Sequence, residues 1–129
     1  IMEQARITPP RADTDISIIH IVKQLYTVLY QTGNKLTKSD KLGIHTHIEH
    51  ITLEIMSDII GASFSNKTSK QTSLEQVRVS LEILKHLIRT EHELKIIDQK
   101  TYFRIEGLLI ETSKMTNGWI KYITQNPTK

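Results

Sequence analysis

Residues 114–123 read KMTNGWIKYI and carry the chain's single tryptophan, Trp119, directly after Asn117-Gly118. Asn-Gly commonly ends a helix, because both residues tolerate the left-handed backbone of a C-terminal cap. The apolar spacing argues the other way. Ile105, Leu108, Leu109, Met115, Trp119, Ile120 and Ile123, with the small Thr112 and Thr116 between them, stay on one helical face straight across the pair. The helix is therefore expected to run on to residue 124. Gly118 then costs about 1 kcal/mol relative to Ala, which the packing of Trp119 and Ile120 exceeds. Gly118 is expected to admit a neighbouring backbone, so Gly118 and Trp119 both take structural roles.

Working back from this tail, Asp98 is the cap in front of it, flanked by Ile97 and Tyr102 in hydrophobic-staple positions. Ser73 and Gln76 form a capping box before Leu74, Val77, Leu81, Leu84 and Ile88, which places a third helix over residues 74–94 after a polar loop, SNKTSKQT. Thr37 and Asp40 resemble a capping box that opens a second helix over 38–64. Ile18, Ile19, Val22, Leu25, Tyr26 and Leu29 mark a first helix over 15–33, ending at Gly33-Asn34. Residues 1–14, with Pro9-Pro10 and no periodicity, read as a flexible arm, and 126–129 as a flexible tail. Four helices with short connections over 15–125 predict an all-α, up-and-down antiparallel four-helix bundle.

Composition narrows the chemistry. The 129 residues include no cysteine, which excludes disulfides, a thiolate nucleophile and Cys-ligated metal. No apolar run approaches a membrane span and no signal pattern opens the chain, so a cytoplasmic protein is expected. There is no nucleophile elbow and no Gly-rich phosphate loop, so no enzyme, cofactor or catalytic residue is assigned. The segment HTHIEH contains His45, His47 and His50. On a helix His47, His50 and Glu54 share a face and could ligate a metal, which would make the chain a metal-dependent bundle enzyme. The spacing matches no catalytic signature, and solvated or interface histidines are the alternative.

Two helices carry more apolar surface than one core requires. In the second, Ile44, Ile48, Ile51, Ile55 and Ile59 form one stripe, while Leu42, Leu53, Met56, Ile60 and Phe64 form another about 160° away. In the third, Val79, Ile83 and Leu87 lie apart from the core stripe. Either these side chains widen one core, or Leu53, Met56, Ile60, Phe64, Val79, Ile83 and Leu87 meet another subunit; homo-oligomerisation is favoured. Arg78, Lys85 and Arg89 fall within about 40° of one another on the third helix, and Lys100, Lys114 and Lys121 line the polar side of the fourth. Such rows can track a phosphate backbone or face water. The net charge is +3 per subunit, which an oligomer multiplies.

The run SLEQVRVSLEILKHLIRTEHELKIIDQKTYFRIEGLLIETSKMTNGWIKYI, residues 73–123, resembles the second half of the accessory variability determinant (Avd) proteins of diversity-generating retroelements. The likeness rests on a leucine-rich helix bearing Arg89, a short turn, and a helix ending in Gly118, Trp119, Ile120 and Lys121. KLTKSDKLGIHTHI, residues 35–48, is similar to the start of the second helix in the wider superfamily, which includes proteins encoded in intervening sequences of bacterial ribosomal RNA genes. Asn117 stands where the family often has a second Gly, and Lys38 where the superfamily often has Pro. The resemblance implies a positively charged homopentameric ring that binds the reverse transcriptase. It implies a part in mutagenic copying of template RNA into DNA, without catalysis by the ring itself. Under it, Arg78, Lys85, Arg89, Lys100, Lys114 and Lys121 become candidates for contact with nucleic acid or the reverse transcriptase. The alternative is a bundle of the ribosomal RNA intervening-sequence type.

Overall fold

The computed structural model describes residues 10–125, with side chains from Ser17 onward; the expectations for residues 1–9 and 126–129 lie outside the described residues. Four long helices make the bundle: α1 (Pro10–Gly33), α2 (Thr46–Ser63), α3 (Lys67–Glu93) and α4 (Gln99–Thr124). α2 is preceded by a helical turn at Lys38–Asp40 and a segment at Lys41–His45 that is assigned π-helical but kinks at Gly43. Each helix packs against its sequence neighbours and α1 closes on α4, so α1 lies diagonal to α3.

The caps explain most of the boundaries. Thr37 accepts a hydrogen bond from the Asp40 amide at 3.2 Å, and Asp98 accepts one from the Thr101 amide at 2.8 Å. α3 starts earlier than the sequence pattern predicts: the cap is Asn66, whose side chain accepts from the Ser69 amide at 3.0 Å, and Ser73 lies inside the helix. The added turns contain only polar residues, so apolar periodicity is silent there. α1 likewise begins at Pro10, inside the expected flexible arm; proline suits a first helical turn because its missing N–H has no partner to lose. α3 ends in a Schellman turn, with the Lys95 and Ile96 amides bonded to the carbonyls of His92 and Glu91 and Lys95 at φ 63°.

The core is made by Ile18, Val22, Leu25 and Leu29 of α1, Ile48, Ile55 and Ile59 of α2, Leu74, Val77, Leu84 and Ile88 of α3, and Ile105, Leu109, Trp119 and Ile123 of α4. Each fully buried aliphatic side chain contributes about 1.5–3 kcal/mol. Thr52, Thr112 and Thr116 are buried among them. Their hydroxyls donate to carbonyls four residues back at 2.8–2.9 Å, so none of these three hydroxyls is orphaned.

α4 runs unbroken through Asn117-Gly118, and Trp119 is 1% exposed. The expected role of Gly118 is corrected: it is exposed, and a side chain there would meet nothing within 4 Å. The helix needs no backbone freedom at this point, only the burial of the residues that follow.

Candidate functional site

The π-helical segment has a specific consequence. Gly43 departs from helical angles (φ −94°, ψ −114°), and the Thr46 hydroxyl reaches back five residues to the Lys41 carbonyl at 2.6 Å. The widened turn holds His45 inside the bundle with no exposed surface. Its Nδ1 is 2.7 Å from Glu91 Oε2 on α3, and its Nε2 is 2.7 Å from the Leu29 carbonyl on α1. Glu91 is also fully buried, and Glu49 Oε2 lies 3.7 Å from Nε2. One imidazole therefore joins three helices.

Both ring nitrogens lie at hydrogen-bond distance from oxygens, an arrangement that an imidazolium donating to both satisfies. Burial lowers the pKa of His45. The hydrogen bonds to Glu91 and the Leu29 carbonyl, with the charges of Glu91 and Glu49, outweigh that and leave it above the ordinary histidine value. Gly33 makes the arrangement possible: a Cβ on it would lie 2.8 Å from His45 Cδ2 and 3.2 Å from Glu49 Oε2. Glycine is needed here for close approach alone, since its backbone does not enter the left-handed region that a glycine cap uses.

The basic residues named from the sequence do not form one free row. Arg78 pairs with Glu75 at 3.2 Å and Lys85 with Glu82 at 3.5 Å, both on α3. Arg89 is exposed and hydrogen-bonds Tyr102 on α4. That bond and the charge of Tyr102, with Glu106 and Glu93 adding to them, raise the guanidinium above its ordinary value. Tyr102 in turn stacks flat on His92, with ring centroids 4.3 Å apart and planes 4° from parallel. Lys100, Lys114 and Lys121 are exposed along α4. Lys100 lowers the pKa of Asp98 only as a secondary influence; the hydrogen bonds from Thr101 come first.

Of the seven apolar residues expected to meet another subunit, Leu53, Ile60, Phe64, Val79 and Ile83 are exposed, Phe64 to 87%. Met56 and Leu87 are partly buried and pack against the core. Tyr30, Phe103 and Ile110 add to the exposed apolar surface. His47, His50 and Glu54 are exposed on α2, and among the described residues no group of three or more His, Asp or Glu side chains is placed to hold a metal ion. Among those residues no helix is long and apolar enough to cross a membrane.

Neither a curated protein nor a solved structure matches the chain. A family model described as bAvd-like matches residues 17–123, which takes in the described side chains of all four helices and the Gly118-Trp119 tail. On that match the chain belongs to the bAvd-like family.

Proposed function

We propose that the chain is a non-enzymatic accessory protein of a diversity-generating retroelement, acting in the cytoplasm as a homo-oligomeric ring of five protomers. The ring binds the element's reverse transcriptase and its template RNA or cDNA and supports mutagenic retrohoming. The family match over residues 17–123 carries this reading. Two features of the surface support it. Exposed Leu53, Ile60, Phe64, Val79 and Ile83 are apolar side chains of the kind that subunit contacts bury. Lys100, Lys114 and Lys121, with Arg78, Lys85 and Arg89 more weakly because of their local partners, supply positive charge that assembly multiplies.

The test is affinity purification of the tagged protein from its native cells at low salt, with identification of co-purifying protein and RNA. Recovery of a reverse transcriptase with one short structured RNA is the expected result. Recovery of ribosomal RNA alone moves the chain to the intervening-sequence type, and recovery of neither removes the retroelement role.

A further inference from the structure

We infer that the groove between α1 and α4 binds a single-stranded polynucleotide. The inference deepens the proposed function and rests on its nucleic-acid partner, but it places the contact on a surface that the basic rows of α3 do not reach. The groove is open and measures about 790 Å³. Its charged lining residues are His20 and Lys23 from α1 and Arg104 from α4, with no carboxylate among them. Arg78 and Lys85 are held by glutamates on their own helix, whereas Lys23 and Arg104 carry no ion pair among the described residues. Lys100, one turn before Arg104, is exposed and extends the cationic side of α4; Glu111, one turn beyond Gly107, bounds it.

Charge alone would suit any polyanion, and the remaining lining selects among them. Phe103, at the groove, is 60% exposed, an aromatic face on which a base can stack. Gln24 and Gln31 line the opposite wall with amides that both donate and accept, which suits the hydrogen-bonding edges of unpaired bases. α1 and α4 pack against each other, so the groove is a furrow along their seam, which takes one extended strand lying in it and leaves no gap for a duplex to enter. An acidic peptide would use the cations and leave the aromatic face unused.

The experiment measures fluorescence anisotropy of a labelled oligouridylate titrated with the full chain at low salt, then across a salt series. Lys23, Phe103 and Arg104 are exposed, so their variants keep the fold, which a thermal melt verifies. Lys23→Glu with Arg104→Glu is expected to weaken binding about tenfold or more and to flatten the salt dependence by about one unit of slope per residue. Phe103→Ala is expected to weaken it about tenfold, while Arg78→Ala with Lys85→Ala changes it less than about twofold. Oligothymidylate in place of oligouridylate distinguishes DNA from RNA as the occupant.

Wild-type binding that survives Lys23→Glu with Arg104→Glu overturns the groove and leaves the proposed function with another surface. Polyglutamate that competes as well as oligonucleotide overturns the polynucleotide assignment. Wild-type protein that binds no single strand overturns both the groove and the nucleic-acid part of the proposed function.

Discussion

Nδ1 of His45 lies 2.7 Å from Oε2 of Glu91, 46 residues along the chain, and both side chains are sealed from solvent. A buried ion pair offsets its desolvation only through good geometry and added hydrogen bonds. His45 has both, because Nε2 also reaches the Leu29 carbonyl. Glu91 is less complete: its Oε1 is buried without a hydrogen-bond partner. The pair thus specifies how α1, α2 and α3 meet more than it adds stability.

Removing one partner leaves the other charge buried alone. Glu91→Ala is expected to cost about 3–5 kcal/mol in urea denaturation. The pH dependence has a definite sign. The pKa of His45 is raised above 6.5 in the folded chain, so the imidazolium's contribution is complete below that value and fades as pH rises through the folded pKa. Wild-type stability should therefore fall on the alkaline side of the histidine range. Glu91→Gln, which leaves Glu49 as the only carboxylate near the ring among the described residues, should reduce that slope. An equal slope in both proteins would remove His45 as its source.

Two glycines should respond in opposite directions to the same substitution. Gly33→Ala drives a methyl to 2.8 Å from the ring of His45, and the crowding is expected to destabilise the fold by about 1–3 kcal/mol. Gly118→Ala meets open space on an exposed stretch of α4 and should stabilise by about 1 kcal/mol. Paired thermal melts read both. A loss of stability at Gly118→Ala would mean that α4 is not continuous there.

The bundle was legible because four apolar stripes repeat at helical spacing, and Thr37 and Asp98 cap where side-chain oxygens precede helices. The start of α3 was not, because a capping-box pattern at Ser73 lies inside a helix already begun by Asn66. The kink at Gly43 left no trace either, since it falls before the buried stripe of α2 begins at Ile48 and leaves that spacing intact. His45 and Glu91 were readable in principle. They stand three residues before Ile48 and three after Ile88, in line with the core stripes, but a reading that counts only apolar side chains passes over them. For the candidate site, Arg78, Lys85 and Arg89 do share a side of α3, yet sequence spacing could not show that Tyr102 and nearby glutamates occupy them.

Trp119 is the largest fully buried side chain, and Lys70 Nζ sits 5.4 Å from the centre of its ring. Trp119→Ala is expected to cost about 3–5 kcal/mol. Its indole N–H has no hydrogen-bond partner, so Trp119→Phe should cost less than the lost volume alone implies, because it also deletes a buried unsatisfied donor. Urea denaturation followed by circular dichroism gives both values, and an unchanged midpoint for Trp119→Ala would show that the tail is not packed.

The exposed apolar side chains of α2 and α3 test the assembly independently of any nucleic acid. Phe64 and Ile83 make little contribution to the protomer core, Phe64 being 87% exposed, so charged replacements should leave the folded protomer intact. Within an oligomer the same positions would bury a charge against apolar surface, which costs several kcal/mol without a partner. Phe64→Glu with Ile83→Glu is therefore expected to shift the particle from about five protomer masses to one, with the helical signal and melting cooperativity of a folded bundle retained. Light scattering coupled to size exclusion reads the mass. If the doubly charged variant assembles as the wild type does, these two side chains face solvent in the ring, and the subunit contact must be built from other exposed apolar residues, with Tyr30 of α1 and Ile110 of α4 next in line.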